Sequence, residues 1–221
     1  MKIKNLLYSL IEFFIINIPG GLGQRVRYFY YSRRFASCGK NVRIDIGVIF
    51  QHPENMYIGS DVWFLPYSII TARPKYEKFE DRVIKEKINI NFKDSKGSLH
   101  IGNQSSIGSY NILQGYGGLR IGNKVTTSTR VNIYSFSHFP YDENNRSIVT
   151  YANAMVDGPI SCIESPIVIK DGVWLGLAVS VFGGTIHENT FVSSFSFVNS
   201  DLDKNIIAKG NPANEISKRF K

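Results

Sequence analysis

The sequence of 221 residues contains only two cysteines, Cys38 and Cys162, which lie far apart and form no CxxC pair. Disulfide-stabilised secreted domains use cysteine far more heavily, so the scarcity indicates a reducing compartment. The first apolar run is not followed by the small-residue cleavage site of a secretory leader. We therefore expect a cytoplasmic protein whose two thiols are free.

The sequence also lacks an apolar run long enough to cross a bilayer, which needs about 20 residues. In "MKIKNLLYSLIEFFIINIPGG" the apolar run from Leu6 to Ile18 is interrupted by polar residues and stops at a Pro-Gly-Gly sequence. Arginines and tyrosines follow it. Residues 1–37 are predicted to be a helical segment that either packs on its own protein or lies peripherally at the inner face of the cell membrane.

Acidic residues are too few to balance the basic ones: 26 Lys and Arg stand against 18 Asp and Glu, which gives a formal net charge of +8. This balance favours anionic partners such as phosphates, nucleic acid or acidic lipids. Because no recognisable nucleic-acid motif accompanies the charge, we expect no nucleic-acid partner. The length and the 43% apolar content suit one domain with a small appendage.

The dominant pattern is an aliphatic residue that returns every six positions, often followed by glycine, as in "IGSDVW" (58–63), "IGNQSS" (101–106), "IGNKVT" (121–126) and "IKDGVW" (169–174). A second aliphatic residue follows four positions later in several units, at Val62, Val125, Val131, Val173 and Val179. A six-residue period fits neither a helix nor a simple strand. It predicts short flat strands joined by turns, three to a triangular coil, whose stacking buries an aliphatic column.

Two stretches interrupt this repeat. Residues 73–99 carry a dense mixture of charges and are predicted to protrude, either as a solvated flap or as a wall of an acceptor site. Residues 140–165 form the second excursion. In "SFSHFPYD" just before it, His138 stands where a coil ends and the excursion begins.

These features resemble the hexapeptide-repeat acyltransferases over roughly residues 38–220. The resemblance is strongest in "IVIKDGVWLGLAVSVFGGTI" and in the closing "IIAKGNPANEISKRF", and the opening "CGKNVRIDIGVIFQHPENMYIGSDVWF" looks like the branch that O-acetylates bacterial surface polysaccharides. It implies an all-β solenoid, a left-handed parallel β-helix over residues 38–209, then a GNPA turn and a short basic C-terminal helix over residues 210–221. It also implies a homotrimer with active sites between subunits.

The activity implied by this resemblance is acetyl-CoA-dependent O-acetylation of a sugar hydroxyl in a capsule, a lipopolysaccharide O-antigen or a precursor, without a metal. An N-acetyltransferase acting on an amino-sugar nucleotide is the alternative on the same fold. A zinc hydratase on a similar β-helix would need three converging histidines, and the closely spaced pair expected there is missing. A non-catalytic scaffold is the remaining hypothesis.

The resemblance assigns His138 as the general base, a role that suits a side chain titrating near neutral pH; the alternative is a structural cap on its coil. Trp174 is expected either near the thioester or in coil packing. Glu164 and Asp142 are candidates to orient the imidazole, and Asp142 also to contact the acceptor. Asn111, in "GSYNILQG", is expected to line the acceptor cleft.

Small residues in the late coils would leave room for the pantetheine arm of acetyl-CoA. They are Gly176, Ala178, Gly183 and Gly184. Basic residues near the C-terminus are expected to meet the CoA phosphates. They are Lys209, Lys218 and Arg219.

Overall fold

The computed structural model describes residues 3–75, 83–86, 97–139 and 161–220. Two helices, α1 (Ile3–Asn17) and α2 (Gly20–Tyr31), precede a series of short strands. The strands are β1 Ser37–Cys38, β2 Arg43–Ile44, β3 Ile49–Gln51, β4 Met56–Ile58, β5 Trp63–Phe64, β6 Ile69–Ala72, β7 Val83–Glu86, β8 Leu99–Ile101, β9 Ser106–Ile107, β10 Ile112–Gly115, β11 Leu119–Ile121, β12 Thr126–Thr127, β13 Asn132–Tyr134, β14 Phe136–Phe139, β15 Ser161–Glu164, β16 Ile167–Ile169, β17 Trp174–Leu175, β18 Ser180–Val181, β19 Gly184–Ile186, β20 Phe191–Val192, β21 Phe197–Val198, β22 Ile206–Gly210 and β23 Ala213–Lys218. A 3-10 turn, Pro53–Asn55, lies before β4.

Most of the strands belong to three parallel sheets. The first face contains β1, β4, β8, β11, β16 and β19; the second contains β2, β5, β9, β12, β17, β20 and β22; the third contains β3, β6, β10, β13, β18 and β21. Because successive strands pass from one face to the next, the chain winds as a three-sided solenoid. The predicted parallel β-solenoid is confirmed.

The six-residue period marks the side chains that fill the interior. On the first face Ile58, Ile101, Ile121 and Ile169 occupy equivalent positions of neighbouring strands and are all buried. The second aliphatic set identified in the sequence is also fully buried: Val62, Val125, Val131, Val173 and Val179. Burial of one such side chain is worth about 1.5–3 kcal/mol, so the stacked columns supply the main stabilisation of the solenoid.

The corner between the first and second faces requires a left-handed backbone residue in successive coils. Gly172 adopts a φ of 69° there, and Lys124 adopts a φ of 54° at the equivalent position one coil earlier. Glycine accepts this conformation without steric cost, whereas an L-residue loses about 1–2 kcal/mol. Lys124 is therefore a locally unfavourable residue held in place by the surrounding coils.

The predicted N-terminal helical segment consists of two helices that meet the first coil. Tyr31 of α2 packs its ring against Phe50, with ring centroids 4.8 Å apart. Arg27 is fully buried and donates to the Ile44 carbonyl (2.8 Å) and to the Ile18 carbonyl just beyond α1 (2.7 Å). Burial lowers the pKa of Arg27. The guanidinium thus joins the end of α1 to the base of the solenoid.

The predicted C-terminal helix is wrong, because Ala213–Lys218 forms strand β23. It pairs antiparallel with β22 after a turn at Asn211 and Pro212, with Gly210 opposite Ala213. As the last strand of the second face, β22 would otherwise end the sheet with an unpaired backbone edge. The hairpin covers that edge, which favours a strand over a helix at this position.

Candidate active site

The described part of the second excursion leaves the solenoid at the corner between the third and first faces. Ser135 marks the exit: its hydroxyl donates to the Gln114 carbonyl (2.8 Å), and its own carbonyl accepts from the Ser165 amide (2.8 Å) where the chain returns. The two ends of the excursion are thereby held together at Ser135. The strand β14 then carries His138 away from the coil.

One strand from each predicted excursion and β14, which precedes the predicted start of the second, form a small separate sheet. In it, β15 pairs antiparallel with β14 and parallel with β7, which belongs to the 73–99 excursion. The two interruptions of the repeat therefore meet beside His138. Asp142 and most of the intervening residues lie outside the described ranges, so the predicted role of Asp142 stays a prediction.

A buried ion pair between Arg73 and Glu164 connects the bases of the two excursions. The Asn55 side-chain amide donates hydrogen bonds to the carbonyls of Arg73 (3.2 Å) and Gly97 (3.3 Å). These bonds hold the two ends of the first excursion together. The sequence offers Glu164 as one of two candidates to orient the imidazole of His138. In the structure the Glu164 carboxylate pairs with the Arg73 guanidinium.

The imidazole of His138 is exposed and contacts two neighbours on its own sheet. Its ring lies edge-on to Phe136, with centroids 5.8 Å apart, and its Nδ1 is 3.8 Å from the Sγ of Cys162 on the paired strand. When Nδ1 carries the proton and points at sulfur, Nε2 holds the lone pair that a base requires. Sequence reasoning missed Cys162, because only the pairing of β14 with β15 places it opposite His138.

An apolar recess of about 180 Å³ opens beside this strand pair. Aromatic rings form one side: the centroid of Phe182 lies 5.2 Å from that of Tyr134 and 5.4 Å from that of Phe197. Phe136 and Ile163, from β14 and β15, line the other side. Such a recess can hold the apolar part of a ligand or a sugar ring stacked on an aromatic face.

Of the predicted cofactor glycines, Gly183 and Gly184 lie at the same corner of the solenoid as the second excursion, one coil further on. A Cβ on Gly183 would collide with the hydroxyl of Ser165, so this glycine lets the chain pass close to the point where the excursion returns. The other two predicted small residues, Gly176 and Ala178, lie at the corner between the second and third faces. In a single chain the structure does not bring these two pairs together.

Trp174 lies on the second face, away from the excursion that carries His138. Its side chain is 46% exposed, its Nε1 donates to the Ser128 hydroxyl (3.2 Å), and its ring meets Phe191 edge-on at 6.1 Å. These contacts fix the indole while leaving part of it accessible. Both predicted roles, packing and a thioester contact, are compatible with this position.

The predicted phosphate-binding cations have different surroundings. Arg219 donates to the carbonyls of Gly172 (3.1 Å) and Asn189 (2.9 Å), so its guanidinium holds the C-terminal segment against the solenoid. Lys218 pairs with Glu215 at 2.8 Å. Lys209 is exposed on β22. Both lysines are exposed, although Lys218 already has a carboxylate partner.

Asn111 is not at the surface of the chain, contrary to its predicted place in an acceptor cleft. It is fully buried, its amide nitrogen donates to the Thr127 hydroxyl (2.6 Å), and its amide oxygen accepts from the Val131 backbone (2.8 Å). Both ends of the amide are used to join successive coils. Asn111 therefore stabilises a corner of the solenoid by joining two coils.

The comparisons with known proteins agree on one architecture. No family model matches the chain. A dTDP-4-amino-4,6-dideoxy-D-glucose acyltransferase from Escherichia coli is 23% identical over 194 residues, which cover 85% of this chain and 84% of the relative. A variant of AntD, an N-acyltransferase from Bacillus cereus solved with dTDP and coenzyme A, superposes with a TM-score of 0.68 at 21% identity, covering 88% of this chain and 90% of AntD.

A maltose O-acetyltransferase from Clostridium difficile superposes with a TM-score of 0.54 at 20% identity, covering 97% of this chain and 86% of the other. A hexapeptide-repeat acetyltransferase from Vibrio cholerae, solved with acetyl coenzyme A, gives a TM-score of 0.52 at 20% identity, covering 93% and 82% of the two chains. This chain has the fold of the hexapeptide-repeat acyltransferases. Within that fold, Phe136 lines the aromatic recess and its ring also contacts His138.

A hexapeptide-repeat fold could also carry metal chemistry, which would require a cluster of ligands. Among the residues that the structure describes, no group of three or more His, Cys, Asp or Glu side chains is placed to hold a metal ion. His52 and His187 lie beside Glu54 and Glu188, and His100 stacks on Tyr57. The described histidines are thus distributed over separate parts of the solenoid.

Proposed function

We propose that this protein is an acetyl-CoA-dependent acyltransferase that acetylates a sugar hydroxyl of a bacterial surface polysaccharide or its precursor, with His138 as the general base. The observation that carries the proposal is the position of His138. The imidazole is exposed on a strand that pairs with β15, Nδ1 faces Cys162, and an aromatic recess lies beside this strand pair. A base for acyl transfer needs this combination of access and orientation.

In the proposed reaction Nε2 of His138 accepts the proton of the acceptor hydroxyl as its oxygen attacks the thioester carbonyl carbon. The new C–O bond forms, the C–S bond breaks, and the imidazolium returns the proton to the thiolate, so that CoA leaves as a thiol. Cys162 would keep the ring in the tautomer that leaves Nε2 unprotonated at the start. An imidazole can both accept and return this proton.

The second candidate is N-acylation of an amino-sugar nucleotide. It is favoured by the names of two similar proteins, the E. coli acyltransferase and AntD, which refer to an amino sugar linked to dTDP and to dTDP itself. The acceptor would then be an amine rather than a hydroxyl. A neutral amine is a better nucleophile than an alcohol, so this reaction would depend less on His138.

The two candidates are separated by assaying CoA thiol release with acetyl-CoA and matched acceptors. One acceptor carries a hydroxyl and the other an amino group at the same position of the same nucleotide sugar, and a soluble oligosaccharide serves as a third. Faster release with hydroxyl acceptors supports O-acetylation. Faster release with the amine supports the second candidate, and no acceptor-dependent release with any of them would contradict both.

We further propose that the solenoid is left-handed and that the active protein is a homotrimer. In one chain His138 lies at one corner, whereas Gly176 and Ala178 lie at another, so a neighbouring copy would be needed to complete a CoA groove. Exposed apolar residues at that second corner support such a contact. They are Tyr67, Tyr110, Leu177 and Phe195. Sedimentation showing a fully active monomer would contradict the trimer.

A further inference from the structure

The outer side of α1 is apolar and exposed. Leu10, Phe13 and Phe14 are 54%, 65% and 63% exposed, and their spacing places them on the side of the helix away from the buried Ile15. The only acidic residue of the helix, Glu12, turns inward and pairs with Arg34. The outer side of α1 between Leu10 and Phe14 therefore presents apolar surface without a charge.

The outer side of α2 alternates apolar and basic residues. Leu22, Arg25 and Phe29 are exposed along one side of the helix, opposite the side that buries Arg27, and the exposed Arg33 follows in the turn just after it. The Arg33 guanidinium lies over the Phe29 ring at 3.6 Å. Apolar and aromatic side chains next to cations are typical of helices that lie at a lipid headgroup layer.

A groove of about 480 Å³ runs between α2 and the first coil of the solenoid. Arg25 and Arg43 line it together with Gln24, Tyr28 and Asn41. The Gln24 and Asn41 amides and the Tyr28 hydroxyl already donate to Asp45, Asp61 and the Gly39 carbonyl, so the two arginines are the groups of this groove suited to an oxyanion such as a phosphate. The groove therefore adds a place for an anionic headgroup next to the apolar residues of α2.

The net charge of the protein is concentrated in the same region. Residues 1–44 contain eight Lys and Arg but one acidic residue, and so contribute +7 of the formal net charge of +8. Neither described helix is long and apolar enough to cross a membrane. A region with this charge and these exposed side chains is suited to lying on an anionic surface.

We propose that α1 and α2 form a docking surface for the anionic face of a lipid bilayer, with Leu10, Phe13 and Phe14 entering the interface and Arg25 and Arg33 contacting headgroups. A second copy of this chain fits the surface less well, because a symmetric contact would place cations of the same helices against each other. Docking would hold the enzyme where lipid-linked glycans are found, although the proposal does not depend on the acyl-transfer assignment.

The electrostatic part is tested by co-sedimentation with phosphatidylcholine vesicles, with and without phosphatidylglycerol. The full-length protein should bind the phosphatidylglycerol vesicles more tightly, and added salt should weaken that binding. Arg25→Gln with Arg33→Gln should weaken it about fivefold per residue, or roughly 25-fold together. The control Lys124→Gln with Arg130→Gln makes the same charge change at exposed corners of the solenoid and should bind like the wild type.

The apolar part is tested with Phe13→Ser and Phe14→Ser in one variant. Its control is Ile216→Ser with Phe220→Ser, since these C-terminal residues are similarly exposed, at 59% and 57%. The helical variant should lose vesicle binding and the control should keep it, with unchanged thermal midpoints and sedimentation coefficients in both.

Equal vesicle binding by the helical variants and their controls would overturn the proposal. A variant of α1 that changes the oligomeric state instead of vesicle binding would overturn it too, and would assign the surface to another copy of the chain. CoA release with a soluble acceptor should persist in every variant. Loss of vesicle binding with retained turnover separates this proposal from the assignment of His138.

Discussion

Removing the carboxylate of Glu164 should destabilise the fold while leaving the chemistry intact. The exposed fractions of Arg73 and Glu164 are 5% and 1%, and their ion pair connects the bases of both excursions. Glu164→Ala leaves the Arg73 charge buried without that carboxylate. Removing one partner of a buried pair costs about 3–5 kcal/mol of unfolding free energy.

For a chain of this length each kcal/mol lowers the thermal midpoint by roughly 2–4 °C, so Glu164→Ala should lower it by on the order of 10 °C. The measurement is thermal unfolding at a fixed protein concentration, because an oligomer's midpoint depends on concentration. Arg73→Met combined with Glu164→Leu should recover much of the loss, since a hydrophobic pair removes both buried charges. CoA release per folded molecule, assayed well below the midpoint, should stay near the wild-type rate in the single variant.

The opposite pattern would refute this reasoning. If Glu164→Ala kept its thermal midpoint but lost turnover and shifted the pH dependence of the rate, then Glu164 would act on the His138 imidazole rather than on Arg73. If the double variant lost as much unfolding free energy as its two single variants together, the two side chains would not be coupled.

Three further predictions concern single side chains. Cys162→Ala should lower turnover by roughly 2- to 10-fold, the value of one weak hydrogen bond to Nδ1, and Cys162→Ser should restore most of it; steady-state CoA release measures both. Lys124→Gly should raise the unfolding free energy by about 0.5–1 kcal/mol in urea, because glycine relieves the left-handed φ at that corner. Hydrogen bonds from the backbone and side chain of Asn123 lower the pKa of Asp171. The ionised Asp171 therefore stabilises the folded protein at pH values above its ordinary pKa of 3.8. This stabilisation is lost as the pH falls through the lower pKa that Asp171 has in the folded protein. Asp171→Asn should therefore flatten this acid limb of a stability–pH curve.

Each of these predictions has an outcome that contradicts it. Unchanged turnover in Cys162→Ala would mean that the thiol does not orient His138. A less stable Lys124→Gly would mean that the lysine side chain contributes more than its backbone conformation costs. An unaltered acid limb in Asp171→Asn would assign the loss of stability at low pH to other carboxylates.

The solenoid could be predicted from the sequence because its rule is local. A coil places one side chain of each six-residue unit inward, so the aliphatic period that includes Ile101, Ile121 and Ile169 identifies the buried column directly. The same rule located both excursions, since each appears as a break in the period.

The site could be predicted only in part, because its contacts join distant segments. Asn111 is an internal residue because its side-chain amide bonds to the next coil. Its nitrogen donates to the Thr127 hydroxyl, and its oxygen accepts from the Val131 backbone amide. The Arg73–Glu164 pair and the Cys162–His138 contact likewise arise where the excursions meet. The helix over residues 210–221 was implied by the family resemblance, and residues 213–218 instead form a strand because β22 offers an open edge.

The most direct test of the proposed mechanism is CoA thiol release by His138→Asn with acetyl-CoA and a hydroxyl acceptor. Asparagine can keep a hydrogen bond but cannot accept a proton at neutral pH, and the exposed position of His138 should leave the thermal midpoint and acetyl-CoA binding unchanged. General-base catalysis is worth about 10²- to 10⁴-fold, so we expect turnover to fall by that amount. Near-normal turnover in His138→Asn would contradict the assignment and leave His138 as a structural cap on its coil.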